Sequence, residues 1–323
     1  MFRILRAAVA AATLFMLGAG HASAQTAWPD KPVKLVVGFT AGSATDVTAR
    51  LFAQKFQEAW GQPVVVENVA GNSGAIGTDR VAKAAPDGYT LLWGANAALT
   101  VLPSLQTLPF DPLKDLTPIT TVLVMPSILM VNNDLPVKTL AELVAYAKAN
   151  PGKLSYGTPG VGTPQHIAGE LFCFLAGIKM EHIPYRGANL SDLMAGVVQV
   201  GIQNAGASLP VVRDGRVRGL AVTSLQRSSN APELPTFVES GFPGFEATSW
   251  FALMGPAGLP QPIVDKVRAE ALKVLADPEM RQKVAALGLD VVGSTPEQTR
   301  EAIARDIPKW AKVIKDANIK PGN

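Results

Sequence analysis

Histidine, cysteine and serine are the residue types here that could do covalent or metal chemistry, and their placement supports neither. His21 lies in the first segment of the chain, His166 and His182 stand on separate later segments, and Cys173 is the one cysteine. No His-x-x-x-His pair, cysteine cluster or carboxylate cluster occurs at metal-ligand spacing, so no metal is expected. A single thiol also excludes an intramolecular disulfide. Ser43, Ser73 and Ser191 have small neighbours, but none stands in the G-x-S-x-G turn that presents a nucleophile. Gly71-Asn72-Ser73-Gly74 lacks a P-loop lysine. Gly160-Val161-Gly162 runs into Thr-Pro, with only Glu181 at the distance of a ribose-binding acid, which is a poor dinucleotide fingerprint. These residues argue against catalysis, and no cofactor is expected.

The chemistry they do suit is anion binding. Three loops of small residues, at 39–44, 70–74 and 157–163, each leave an apolar strand and enter a helix. In parallel α/β units such loops lie at the carboxyl ends of the strands, where ligands bind. A helix start offers unpaired N–H groups and a partial positive charge of about half a unit. Small side chains let a ligand reach those amides. Phe39, Thr40, Ala41, Gly42, Ser43, Thr45 and Asp46 form the first candidate group, and Asn72, Ser73 and Gly74 the second. Thr158, Gly160, Thr163 and His166 form the third, with Tyr185 and Arg186 at the end of a further strand.

Each has an ordinary alternative. Thr40, Ser43 and Thr45 are ligand hydroxyls or N-caps. Asp46 suits the first turn of a helix, would repel a carboxylate and would attract an amine. Asn72 and Ser73 also suit a turn. Arg186 is either a clamp for a distal carboxylate or a surface ion-pair partner. Trp93 and Trp250 fall near strand ends that could line a pocket, whereas Cys173 among Leu171, Phe172 and Phe174 reads as core.

The elements that must position these loops follow the same grammar twice. Apolar runs at 33–39, 63–67 and 89–93 alternate with helical patterns at 45–60 and 75–85. A second series has strands at 153–156, 181–184, 197–203 and 217–223, with helices at 140–148, 164–176, 190–196 and 209–213. Three helices at 262–275, 278–287 and 296–317 end the chain. Long extended stretches at 119–131, broken by Pro126, and at 247–255 read as crossings between two lobes. The expected fold is therefore α/β and two-lobed, with lobe one at 25–126 and 247–323 and lobe two at 127–246.

Composition sets the outer limits. Of 323 residues, 48% are hydrophobic and 17% charged, which suits a folded globular chain rather than a disordered one. Arg3 and Arg6, the apolar run 7–20 and Ala22-Ser23-Ala24 have the three-part form of a secretory signal peptide at 1–24. Without those two arginines the basic excess falls from three to one, and no dense basic cluster remains, so no nucleic-acid partner is expected. The expected location is the periplasm, and nothing periodic suggests an oligomer.

The same segments resemble the solute-binding receptors of tripartite tricarboxylate transporters, the TctC or Bug family, along nearly all of the chain after the leader. The likeness runs through Pro32-Val33-Lys34-Leu35-Val36-Val37, Phe39-x-Ala41-Gly42-Ser43-x-x-Asp46 with Ala49-Arg50, and Val66-Glu67-Asn68 with Gly71-x-x-Gly74-x-x-Gly77. It continues at Ala85-Pro86-Asp87-Gly88-Tyr89, Tyr156-Gly157-Thr158-x-Gly160-x-Gly162 with His166, and Pro184-Tyr185-Arg186-Gly187. Order and spacing together make it specific. The resemblance implies a monomeric periplasmic receptor of the type II two-lobed fold that hands a small carboxylate to a membrane permease. It also implies that the loops at 39–45 and 70–74 clasp a carboxylate and that those at 158–166 and 185–187 complete the site.

This chain departs from the family pattern at Ser43 and Asn72, where the family often has glycine and alanine. It departs again at Gly201 and the run Ile202-Gln203-Asn204-Ala205-Gly206. Ser43 and Asn72 add hydrogen-bonding groups beside the expected carboxylate site, and the change at 201–206 points to an unusual ligand at the distal end of the pocket. A ligand sensor would use the same binding event to address a signalling partner. An exported enzyme would need a clustered acid, base and nucleophile that the sequence does not offer.

Overall fold

Apolar strands alternating with helices build two sheets, and each sheet borrows one strand from the far side of a crossing. The structure, a computed structural model, describes residues 28–161, 163–185 and 189–316. The leader read at 1–24 and Arg186 lie outside those residues. The first sheet uses β1 (Val33–Val37), β2 (Val64–Asn68), β3 (Thr90–Ala95) and β4 (Leu116–Met125). The chain then enters the second sheet as β5 (Ser127–Val131), followed by β6 (Ser155–Thr158), β7 (Glu181–Pro184), β8 (Val200–Asn204) and β9 (Arg218–Val222). It returns as β10 (Ser249–Pro256) and adds the two-residue β11 (Asp290–Val291) at an edge. The strand orders are β11-β4-β10-β3-β1-β2 and β7-β6-β8-β5-β9. The borrowed strands β10 and β5 run antiparallel to both of their neighbours.

Pro126 is why the extended run 119–131 does not stay in one sheet. Proline has no N–H to donate to a ladder; Pro118 is accommodated within β4 where β11 does not reach, whereas at Pro126 the chain changes sheet. The Pro126 carbonyl still accepts the Ala205 N–H at 2.9 Å. The register pairs Ser127 with Asn204 and Ser249 with Met125. Both crossings therefore leave from the carboxyl ends of the parallel strands, and the two sheets present those ends to one another across the gap.

The helices are α1 (Ala44–Trp60), α2 (Ala75–Ala82), α3 (Leu140–Ala149), α4 (Pro164–Ala176), α5 (Leu190–Met194), α6 (Ala205–Arg213), α7 (Gln261–Ala276), α8 (Pro278–Ala286) and α9 (Pro296–Asp316). The first core gathers Leu35, Phe52, Phe56, Trp93, Ile119, Leu253 and Val267. Trp93 is fully buried against Phe52, so it packs the core and lines no pocket. The second core gathers Leu129, Tyr156, Phe172, Val200 and Ile202, with Cys173 among them. The C-terminal helix serves both cores. Ile303 packs beside Trp250 and Met254 of the first sheet, whereas Trp310, Val313 and Ile314 enter the second core, with Pro308 between the two groups.

Three features escaped the sequence reading. Helical turns follow β3 at Ala97–Val101 and Leu102–Ser104. α6 begins at Ala205 rather than at 209, because Pro210 and the small residues before it mask its pattern. β11 is too short to carry any alternation. Its neighbourhood matters all the same, since Gly288 packs against Gly206 backbone to backbone across the lobes. A Cβ on Gly288 would stand 2.1 Å from Gly206 N, and its φ is 72°. Gly152 has a similar φ of 75° with nothing nearby, so it isolates the cost of φ alone. Gly152→Ala is expected to cost about 1–2 kcal/mol from the left-handed backbone. Gly288→Ala is expected to cost more by wedging the lobes, as read by urea unfolding. Equal losses would show that the contact carries no energy.

Candidate functional site

On the first-sheet side, the loops after β1 and β2 lie backbone to backbone. A Cβ on Gly38 would come within 2.6 Å of Gly74 Cα, and one on Gly74 within 3.0 Å of the Phe39 ring. Only small residues allow that approach. Ser43 is the N-cap of α1: its Oγ accepts the Asp46 N–H, two places earlier than a cap at Thr45 would stand. Thr45 is buried in the first turn, while Thr40, Ala41 and Gly42 are exposed.

Asp46 is 2% exposed and its carboxylate is saturated by the protein. It accepts the Gly42 N–H at 2.9 Å, Arg50 Nε at 3.0 and 3.1 Å, and Asn68 Nδ2 at 2.8 Å. Asn68 also donates to the Phe39 carbonyl. Burial pushes the Asp46 pKa up, but the bonds from Arg50, Gly42 and Asn68 outweigh it, and the net shift is downward. Asp46 thus holds the loop's shape and takes the Gly42 amide for itself. The N–H groups of Ala44 and Thr45, the first two of α1, meet no acceptor among the described residues.

The second loop reaches the same result by another route. Gly71, Asn72, Ser73 and Gly74 all have positive φ, at 138°, 46°, 49° and 95°. Two consecutive non-glycine residues there hold strain of roughly 1–3 kcal/mol each, the kind that persists at functional sites. Asn72 and Ser73 are exposed, and their N–H groups also meet no acceptor among the described residues. Four open amides therefore sit on two adjoining loops, without a cationic side chain among them.

The second-sheet side is more self-contained. Thr158 is fully buried at the end of β6; its Oγ1 bonds His182 Nε2 at 2.7 Å and receives the Gly160 N–H at 3.3 Å. Thr163 caps α4 by accepting the His166 N–H, and its own hydroxyl donates to the Gly160 carbonyl at 2.8 Å. Tyr185 donates its N–H to the Thr158 carbonyl and its hydroxyl to Asp192 at 2.8 Å. The loops after β6 and β7 are thereby held together, as their counterparts are in the first sheet. Five polar residues that the sequence reading did not select complete these edges: Asn68, Asn96, Gln165, Ser127 and Asn204. Asn96 ends β3 and pins the second crossing by donating to the Thr248 carbonyl and accepting the Trp250 N–H. For Asn68, Asn96 and Asn204 the signal is a polar residue at the end of an apolar run; Ser127 and Gln165 carry no such signal. Among the described residues, no group of three or more His, Cys, Asp or Glu could hold a metal.

His166 and His182 stack face to face with ring centroids 3.9 Å apart. Both pKa values are lowered to about 4, that of His182 by burial and that of His166 by burial together with the charge of His182. Glu170, 3.8 Å from His166 Nε2, accepts the Tyr156 hydroxyl.

Two measurements check this geometry. Asp46→Asn should lose about 1.5–3 kcal/mol in urea, the range for bonds to a charged group; an unchanged midpoint would remove its role in the loop. The histidines are neutral when folded and take up protons when unfolded between pH 6.5 and about 4. Stability should therefore fall as pH drops through that window, by up to about 3 kcal/mol for each ring. Urea midpoints for the protein and for a His166→Phe, His182→Phe double variant read this directly. The variant should lose most of the slope, and an equal slope in both would show that other groups carry it.

Comparison with known proteins places the chain in a family. The model of the tripartite tricarboxylate transporter family receptor matches residues 48–319. Protein BugT of Bordetella pertussis is 38% identical over 316 residues, which span 95% of this chain and 96% of that protein. An R. palustris protein solved with adipate is 36% identical, with a TM-score of 0.72 over 91% of this chain and all of its own. MatC of Rhodopseudomonas palustris, solved with malate, is 30% identical, with a TM-score of 0.69 over 89% of this chain and all of its own. A TctC solute-binding protein from Polaromonas solved with no ligand is 27% identical, yet its TM-score is 0.83 over 90% of this chain and 99% of its own.

Proposed function

The chain belongs to the tripartite tricarboxylate transporter receptor family, whose members are periplasmic solute-binding proteins, and we propose that it captures a small organic carboxylate between its two sheets. The observation that carries this is the set of four open N–H groups, on Ala44, Thr45, Asn72 and Ser73, on loops that touch through Gly38 and Gly74. Such amides bind an anion most strongly where water is excluded, so lobe closure raises the value of each bond. Adipate and malate in the two related structures are carboxylates of this kind.

In this reading the first-sheet residues Phe39 to Ser43, Thr45 and Asn72 to Gly74 receive or shape the ligand's carboxylate, with Asp46 as the brace. The second-sheet residues Thr158, Gly160, Thr163, His166, Tyr185 and Arg186 close over its other end. The lobes divide at 126/127 and 246/247 and rock about the two crossings. The leader at 1–24 directs export, the protein acts as a monomer without catalysis, and the loaded form is handed to permease subunits. Ligand favours closure only through contacts made in the closed state.

Titration of protein that has been unfolded and refolded, to remove any retained solute, tests this. The panel is adipate, malate, aromatic carboxylates and acidic amino acids. At least one should raise the melting temperature, by about 2.7 kcal/mol of added stability at a hundredfold excess over its dissociation constant. No heat and no thermal shift across the panel would overturn the carboxylate assignment.

A further inference from the structure

Gln165 stands in the first turn of α4, behind the loop 158–163, and is 3% exposed. Its side-chain amide reaches out of its own helix. Nε2 donates to Ser127 Oγ at 3.1 Å and to Asn204 Oδ1. Ser127 is the first residue after Pro126, on the first crossing. Its N–H donates to Thr223 Oγ1 at 2.9 Å, and its carbonyl accepts the Thr223 N–H at 2.9 Å. Thr223 begins the second crossing, and its carbonyl accepts the Ala247 N–H at 3.0 Å. Asn204 ends β8 just before Ala205, whose N–H goes to the Pro126 carbonyl. Ser127 and Thr223 are buried as completely as Gln165.

One glutamine thus joins the helix behind the second-sheet loop to both places where the chain changes sheet. A buried amide without partners would be costly, and an apolar residue would fill the same space without bonds. The bonds bring specificity of geometry that packing alone would not. We propose that Gln165 is a positioning residue that couples the second-sheet half of the site to the interlobe crossings, so that movement of the α4 start moves Ser127 and Thr223 with it. This rests on the receptor reading for its purpose, since a ligand drawing α4 toward the first sheet would then turn the lobes as a unit. The coupling itself is a property of the ligand-free protein. A bound solute would act through it by shifting an existing equilibrium.

Hydrogen exchange of the ligand-free protein tests it. Gln165→Met keeps the length and removes both bonds. The amides of Ser127, Ala205, Thr223 and Ala247 should exchange about tenfold faster or more, with those of Leu35 and Leu91 in the first sheet unchanged. Ser127→Ala should give part of that effect, and the double variant should add nothing to Gln165→Met, because both act through one bond. Unchanged exchange at the crossings would overturn the proposal. So would a uniform rise across both sheets, which marks a plain loss of stability, or full additivity of the two substitutions. Because no ligand is present, failure of the carboxylate panel would remove the receptor reading and leave this result standing.

Discussion

The break at Pro126 is the constraint on which the rest of this molecule depends. Pro126 has no N–H to donate, and the strand that enters it and the strand that leaves it belong to different sheets. Because β4 ends at the carboxyl edge of its sheet and β5 starts opposite the end of β8, the two edges meet across one gap. The described parts of the loops after β1, β2, β6 and β7 lie at those edges. The returning strand repeats the arrangement at Ser249 opposite Met125, held by Asn96 and Thr223. α9 adds a third connection by packing on both cores, with Arg305 bonded to Glu246 of the return segment at 2.8 Å.

At those edges charge is managed by backbone and by neutral side chains. The described residues lining the two first-sheet loops include no cation that faces the open amides; Arg50 is engaged with Asp46 and Asn68. An anion there would meet dipoles fixed in advance, which cost little to reorganise. Asp46 has the opposite sign to a carboxylate receptor's needs, yet its charge is matched by Arg50 and its oxygens are all bonded. On the facing side the stacked histidines remain neutral at neutral pH because water is excluded from them. That side is tied together by side-chain bonds through Thr158, Thr163 and Tyr185, whereas the first-sheet loops present backbone N–H groups.

Much of this was legible from residue order. Small residues between apolar runs located the three loops, because only such residues permit the contacts of Gly38 with Gly74 and of Gly157 with the Asn189 amide. Period and breakers located the strands and most helices, and Pro126 marked a crossing. What escaped the sequence was local structure decided by distant partners: α6 starting on Ala205, the turns at 97–104, and the edge pair at 290–291.

Residue order alone thus determined the two-series α/β pattern and the positions of the loops, because these depend on periodicity and on residue type. Only tertiary structure decided which amides are open and which are taken. Asp46 captures the Gly42 N–H, Thr158 turns inward to His182, and Gln165 crosses to Ser127, each through a partner whose distance along the chain hides it. Hydrogen bonds between segments are set by how elements pack, and packing has no period to read.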